Sequence, residues 1–288
     1  APLLPRPPDA DKVSLTLNTI KLEGVQAFKP EELAPLWQDT LNHPVTLEDV
    51  YAVADRLTRY YRERGYVLAR AYLPEQEICC GSAIIAVTEG QIGEVRLEGP
   101  VERTNLIALA LQRIHEQAAL NIKTLENQLL LLGDLPGSNF RVVLKPGAEG
   151  TVDVVVVGEK EPTLRGSITF DNSGSRYLGP YMVSASLQLY NLPFLFHQTT
   201  LGVSSSLQRQ ELSMVSLSHQ MPLWYPGLSL TVDASYTRGQ PGYTLKVNDI
   251  ESNAFQFGMH VDWQVLRQRT GSLTLTAGAT LHNSDTNI

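Results

Sequence analysis

The hydrophobic pattern of the chain changes near residue 163. Before it, apolar residues recur at helical spacing and are broken by short alternating runs. After it, alternation at a period of two dominates. The clearest stretch of the first kind is residues 46–74, TLEDVYAVADRLTRYYRERGYVLARAYLP. Leu47, Val50, Tyr51, Ala54, Leu57 and Tyr61 share one helical face. Thr46 and Asp49 have the spacing of a capping box, and Gly65 can end the helix in the left-handed conformation. Arg56, Arg59, Arg62 and Arg64 crowd the C-terminal half, where the helix dipole favours cations. The period then drops to two, with Val67, Ala69, Ala71 and Leu73 opposite Tyr66, Leu68, Arg70 and Tyr72. This predicts a strand over 66–73, closed by Pro74.

This plan is repeated. Ile20-Lys21-Leu22-Glu23-Gly24 is echoed by Val95-Arg96-Leu97-Glu98-Gly99, and Thr46-Leu47-Glu48 by Thr124-Leu125-Glu126. Each copy reads strand, helix, helix, strand, strand. The first has strands over 14–23, 66–73 and 83–88 and helices over 31–39 and 47–64. The second has strands over 93–98, 140–145 and 152–158 and helices over 105–117 and 123–133. The expected divisions are a proline-rich leader at 1–13, a first α+β domain at 14–90, a second at 91–161, and a β-domain at 162–288. A three-stranded sheet with two helices on one face buries a single core, and domains this small call for mutual contact or a partner.

In the last part, Tyr181, Val183, Ala185, Leu187 and Leu189 alternate with Met182, Ser184, Ser186 and Gln188, and Leu228, Leu230, Val232, Ala234 and Tyr236 with Ser229, Thr231, Asp233 and Ser235. Phe255, Phe257, Met259, Val261 and Trp263 alternate with Gln256, Gly258, His260 and Asp262. Leu273, Leu275, Ala277 and Ala279 alternate with Thr274, Thr276 and Gly278. Runs of about nine to eleven residues, with Ser, Thr, Gln and Gly on the second face, suit tilted strands that cross a bilayer around a wet lumen. Sandwich strands are shorter, about five or six residues. Aromatics toward strand ends (Tyr181, Tyr190, Trp224, Tyr225, Tyr236, Phe255 and Trp263) fit interfacial girdles. Short connections at 191–196, 223–227 and 266–271 belong to one side of the membrane. Those at 173–179, 209–211 and 240–252 belong to the other. Seven strands are counted, the first over 163–171. An open edge is not viable in lipid, so the barrel is expected to continue past Ile288.

Composition narrows the function. With 23 Lys+Arg against 30 Asp+Glu the net charge is −7, which argues against a nucleic-acid partner. No apolar run approaches the ~20 residues of a transmembrane helix. The start, APLLPRPPDADK, carries no signal-peptide pattern and reads as a mature or trimmed terminus with a stiff leader. Cys79 and Cys80 read first as neighbouring thiols in a turn, since a bridge between neighbours is strained, with a vicinal disulfide in an oxidising compartment as the alternative. His43, His115, His197, His219, His260 and His282 have no zinc-site spacing, and neither a nucleophile elbow nor a phosphate loop occurs. His260 and Asp262 read as a solvated pair on the lumen wall. No catalytic residue, metal ligand, cofactor site or small-molecule substrate is therefore assigned.

Residues 46–74, with EGQIGEVRLEG, LLLLGDLPG, LKPGAEGTVDVVVVGEKEP and the DNSGSRYLGPY region, resemble the two-partner secretion transporters (the TpsB, ShlB and FhaC type) of the Omp85 superfamily across nearly the whole chain. The resemblance implies tandem POTRA domains of β-α-α-β-β order, then part of an antiparallel transmembrane β-barrel that has about sixteen strands in the family. It implies an outer-membrane translocator with its POTRA domains in the periplasm. The partner would be an unfolded secreted exoprotein (an adhesin, haemolysin or contact-dependent toxin, TpsA-like), with outer-membrane lipid around the barrel. POTRA edge strands would add the exoprotein by β-augmentation. The residues assigned to that role are Tyr66, Val67, Leu68, Ala69, Arg70, Ala71 and Tyr72 in the first domain, and Phe140, Arg141, Val142, Val143 and Leu144 in the second. The family's V-R-G-Y loop motif has no match here; Arg64-Gly65-Tyr66 lies at a helix end. Alternatives are an Omp85-type insertase, which usually carries more POTRA units, and the translocator half of a fused lipase-like autotransporter.

Overall fold

The computed structural model describes residues 10–78, 81–117, 119–148, 151–208 and 211–287. Cys79 and Cys80 lie outside the described residues. One compact unit gathers the chain up to Leu97 with Leu111–Gln128 and Val142–Val156. The other holds Glu98–Ala110, Leu129–Arg141 and the chain from Val157.

The first α+β domain is built on β5 (Ser82–Thr88), whose alternate residues Ala83, Ile85 and Val87 are buried. β2 (Thr19–Glu23) runs parallel to it and β4 (Arg70–Tyr72) antiparallel, in the order β2-β5-β4. Helix α2 (Leu47–Glu63) packs on this sheet through Val50, Val53, Ala54, Leu57 and Tyr61. Burying each of the valines and Leu57 stabilises by roughly 1.5–3 kcal/mol. Val53 takes the place expected for Leu47 and Tyr51, which are only half-buried. Thr46 and Asp49 form the complete capping box: Thr46 N–H donates to Oδ2 of Asp49 at 2.8 Å, and Asp49 N–H to Oγ1 of Thr46 at 3.3 Å.

Three expectations for this domain change. The strand over 14–23 is two strands, β1 (Ser14–Thr16), which pairs with β3 (Pro44–Thr46), and β2. They separate because fully buried Leu17 turns into the core and both Asn18 and Thr19 donate to the Gly81 carbonyl. The helix over 31–39 is one α-turn, α1 (Pro30–Leu33), followed by two 3₁₀ turns, Ala34–Leu36 and Gln38–Thr40. Pro35 lacks the N–H an α-helix would need there. The strand over 66–73 shrinks to Arg70–Tyr72. Residues 66–69 form a turn in which Ala69 N–H donates to the Tyr66 carbonyl at 3.0 Å. Tyr66 is drawn back onto the core, edge-on to Phe28 (5.3 Å) and Tyr61 (5.9 Å).

The second α+β domain keeps the predicted order: β6 (Ile92–Glu98), α3 (Asn105–His115), α4 (Ile122–Gly133), β7 (Ser138–Pro146) and β8 (Val152–Lys160), with sheet order β6-β8-β7.

From Leu164 the chain is one antiparallel meander of seven strands: β9 (Leu164–Asp171), β10 (Met182–Tyr190), β11 (Gln198–Ser206), β12 (Ser213–Pro222), β13 (Leu228–Gly239), β14 (Glu251–Gln268) and β15 (Gly271–Asn287). Register sorts the two faces. One row across the sheet reads Ser167, Ser186, Gly202, Ser216, Ser235, Gln256, His282. The next, on the opposite face, reads Gly166, Leu187, Leu201, Leu217, Ala234, Phe257, Leu281. Among the described residues the apolar face meets no second layer: Ile168 is 81% exposed and Val215 56%. A water-soluble sandwich would bury these residues, so their exposure marks a face made for lipid. β14 and β15, with 18 and 17 residues, exceed the expected length, and the last connection tightens from 266–271 to Arg269 and Thr270.

Candidate functional site

β4 lies at the edge of its sheet, with β5 on one side only. Its middle residue, Ala71, donates its main-chain N–H to Oγ1 of Thr58 on α2 at 2.9 Å, while that hydroxyl donates to the Ala54 carbonyl at 3.0 Å. A serine-type hydroxyl can do both at once. One edge donor is thus held by the domain's own helix, on a strand of only three residues. Of the residues assigned there, Arg70, Ala71 and Tyr72 are on the edge. Tyr66, Val67, Leu68 and Ala69 are not: they lie in the preceding turn, with Ala69 buried and Val67 and Leu68 exposed.

β7 is also an edge strand, and it is nine residues long. Phe140 is buried and packs on Phe196, ring centroids 6.5 Å apart. Arg141 pairs with Glu159 on β8 at 3.1 Å. Val142 is half-buried, and Val143 and Leu144 are exposed.

Sequence reasoning missed the residue that ties the first domain together. Glu89, directly after β5, is buried, and its carboxylate accepts from the main-chain N–H groups of Gln26 (3.0 Å) and Ala27 (3.1 Å) and from the Tyr61 hydroxyl (2.6 Å). A buried carboxylate persists only when so supplied with donors. Burial first, and then the bond to Glu89, push the Tyr61 phenol above its ordinary range. The only signal was an acidic residue in the Glu89-Gly90 pair where the strand's apolar alternation ends.

The two α+β domains meet through main-chain contacts. Ile122 N–H donates to the Gly65 carbonyl at 2.9 Å, Leu120 N–H to that of Gly90 at 3.1 Å, and the Asn121 side-chain amide to that of Arg64 at 3.1 Å. The segment after α4 is tied in turn to hairpin connections of the seven-stranded sheet. Asp134 forms a bidentate pair with Arg267 of β14 (2.7 and 3.0 Å), and Asn191 Nδ2 donates to the Gly137 carbonyl at 3.1 Å.

The polar face of the sheet is lined with hydroxyls that bond across strands, such as Ser167 with Ser186 (2.8 Å) and Ser184 with Ser204 (2.9 Å). His260 sits between Asp233 (3.7 Å) and Asp262 (3.4 Å), and Asp262 also accepts from Thr276. This extends the pair expected from sequence to four residues. Among the described residues, no group of three or more His, Cys, Asp or Glu is placed to hold a metal ion.

Two small β-α-α-β-β domains joined to an antiparallel sheet with one oily and one hydroxyl-rich face define the class: POTRA domains ahead of an outer-membrane β-barrel. Residues 15–90 match the family model described as POTRA domain, ShlB-type, and residues 150–288 match that of haemolysin secretion/activation protein ShlB/FhaC/HecB. The chain belongs to this family of two-partner secretion transporters. The heme/hemopexin transporter protein HuxB of Haemophilus influenzae is 27% identical over 200 residues, covering 68% of this chain and 35% of HuxB. The outer membrane transporter CdiB of Dickeya dadantii (strain 3937) is 26% identical over 178 residues, covering 62% of this chain and 31% of CdiB. The solved structure of CdiB from Escherichia coli aligns with 100% of this chain and 55% of its own, with a TM-score of 0.72 at 20% identity, which supports the fold. The chain spans about a third of the length of the curated relatives it matches. Membership places the seven-stranded sheet in the outer membrane and the POTRA domains in the periplasm.

Proposed function

We propose that this chain is the POTRA and leading barrel portion of a translocator that receives an exoprotein in the periplasm and passes it along the hydroxyl-lined face of the barrel. One observation carries the reading: lipid-type exposure on one face of a single seven-stranded sheet, with hydroxyls and other hydrogen-bonding groups, most of them uncharged, on the other. Such a wall keeps a polypeptide hydrated along most of its area. The role requires no catalysis, and the named relatives are transporters.

Docking by β-augmentation is the proposed first step, and β7 is the better receiver. It offers nine residues against three, and Val143 and Leu144 present exposed apolar side chains beside Arg141. In β4 the Ala71 donor is already engaged. Successive N–H groups of a strand point to opposite edges. Arg141→Pro and Val142→Pro, made singly in the full-length transporter, therefore remove one donor facing β8 and one facing outward. The outward-facing loss is expected to reduce exoprotein secretion with normal barrel assembly, and the other to impair assembly of the domain. Full secretion by both variants would remove β7 as the docking edge.

A further inference from the structure

The segment that follows α4 does more than connect. Leu131, Asp134, Leu135 and Pro136 form one side of a cavity of about 210 Å³. The other side is the sheet's inner wall near its periplasmic turns: Gln220 and Pro222 of β12, Ser229 of β13, Asp262 and Gln264 of β14, and Thr274 of β15, closed at the rim by Tyr225 and Leu228. Gln220, Ser229, Asp262, Gln264 and Thr274 all belong to the hydroxyl-rich face by register. The end of α4 therefore stands over the lumen wall at its periplasmic end, held by the Asp134–Arg267 pair.

The lining is half apolar and half polar, with the carboxylates of Asp134 and Asp262 among its many acceptors. Oε1 of Gln264 is shielded and has no hydrogen-bond partner among the described residues. Gln264 lines the cavity, and its main-chain N–H donates to the Gly227 carbonyl at 2.8 Å. A cavity of ~150 Å³ already accepts a benzene ring, so this one has room for a large apolar side chain. An extended polypeptide supplies what the lining lacks: a main-chain N–H for Gln264 beside an apolar side chain for Leu131 and Leu135.

We propose that this cavity is a subsite for the chain in transit, in which an extended segment of exoprotein places one apolar side chain beneath the α4 end while its main chain bonds to Gln264. The proposal rests on the translocator reading above. Its function would be a weak ratchet tooth at the pore entrance. Occupancy by successive apolar residues opposes back-sliding, and the acceptors do not discriminate sequence.

The test uses the full-length transporter, in cells that also produce an exoprotein from the same genome. Benzoylphenylalanine replaces Tyr225 at the cavity rim or, in a second strain, Gln256 deeper on the same wall. Ultraviolet adducts to the exoprotein are expected at both positions, and Ser229→Phe, which fills the cavity, is expected to reduce the Tyr225 adduct about tenfold, as loss of a weak subsite would. Adducts at Gln256 with none at Tyr225 would overturn the subsite and leave the translocator reading standing. Adducts at Tyr225 untouched by Ser229→Phe would overturn it as well. Adducts at neither position, with the barrel assembled and the exoprotein made, would overturn both.

Discussion

The hydroxyl of Tyr61 donates to Oε1 of Glu89 at 2.6 Å inside the first POTRA domain, and so joins helix α2 to the carboxylate that also holds the main chain at Gln26 and Ala27. Hydrogen bonds to charged groups contribute about 1.5–3 kcal/mol. Tyr61→Phe is expected to lose about that much, and Glu89→Ala more, since it strands two main-chain donors as well. Hydrogen exchange of the α2 amides measures both. The sign of the pH dependence follows from the raised phenol. The unfolded chain releases the tyrosine proton near its ordinary value of 10.0 while the folded domain keeps it. The contribution is complete below that pH and is lost as pH rises beyond it. α2 protection should therefore fall above pH ~10 in the native protein, and Tyr61→Phe should flatten that fall.

Gly65 has φ +100°, and a Cβ there would stand 2.5 Å from Oδ1 of Asn121, the residue whose side chain also bonds the Arg64 carbonyl. Gly65→Ala is expected to destabilise by about 1–3 kcal/mol, through both the left-handed backbone and the contact between the two POTRA domains. Gly133, at the end of α4, is the control. Its Cβ would meet nothing within 4 Å, so Gly133→Ala should be neutral or gain about 0.4–1 kcal/mol. Thermal unfolding of the two variants side by side gives the comparison.

At the other end of α2, the main-chain N–H of Thr46, and then its hydroxyl, hold the Asp49 carboxyl below its usual value of 3.8. The stabilisation is present above that value and is lost as pH falls below it. Thr46→Ala should cost about 1 kcal/mol at neutral pH. Asp49→Asn should remove the acid-dependent part, so that exchange of the first-turn amides no longer accelerates between pH 5 and pH 3.

Local chemistry explains which parts of this structure were legible in the sequence. The capping box and the alternation along β10, β13, β14 and β15 arise from neighbouring residues, so their spacing alone revealed them, and on α2 it gave Val50, Ala54, Leu57 and Tyr61 but not Val53. The strand expected over 66–73 failed because a turn of alternating residues is indistinguishable from a strand until Phe28, distant in sequence, claims Tyr66. The same limit hid the long-range contacts around the candidate site. Thr58 closing on Ala71, Glu89 reaching Gln26 and Asp134 meeting Arg267 each join residues whose partnership has no periodic trace. Of the candidate docking residues, Arg70–Tyr72 and 140–144 lie on edge strands while residues 66–69 do not, and which edge donors are already engaged is invisible to local pattern.

The two faces of the sheet make the most demanding prediction. Leu217 lies on the apolar face, in register with Leu201 and Ala234, and Ser216 lies beside it on the hydroxyl face, in register with Gly202 and Ser235. A lysine facing lipid near the bilayer midplane costs about 2–4 kcal/mol, while the same charge facing a wet lumen is hydrated. In the full-length protein, Leu217→Lys should lower the urea concentration at which the barrel unfolds in liposomes, and Ser216→Lys should leave it nearly unchanged. One residue of offset thus separates a severe substitution from a mild one, as a period-two strand between oil and water requires. Equal sensitivity at both positions would mean that the hydroxyl face is packed against protein rather than open to water, and the translocation reading would lose its channel wall.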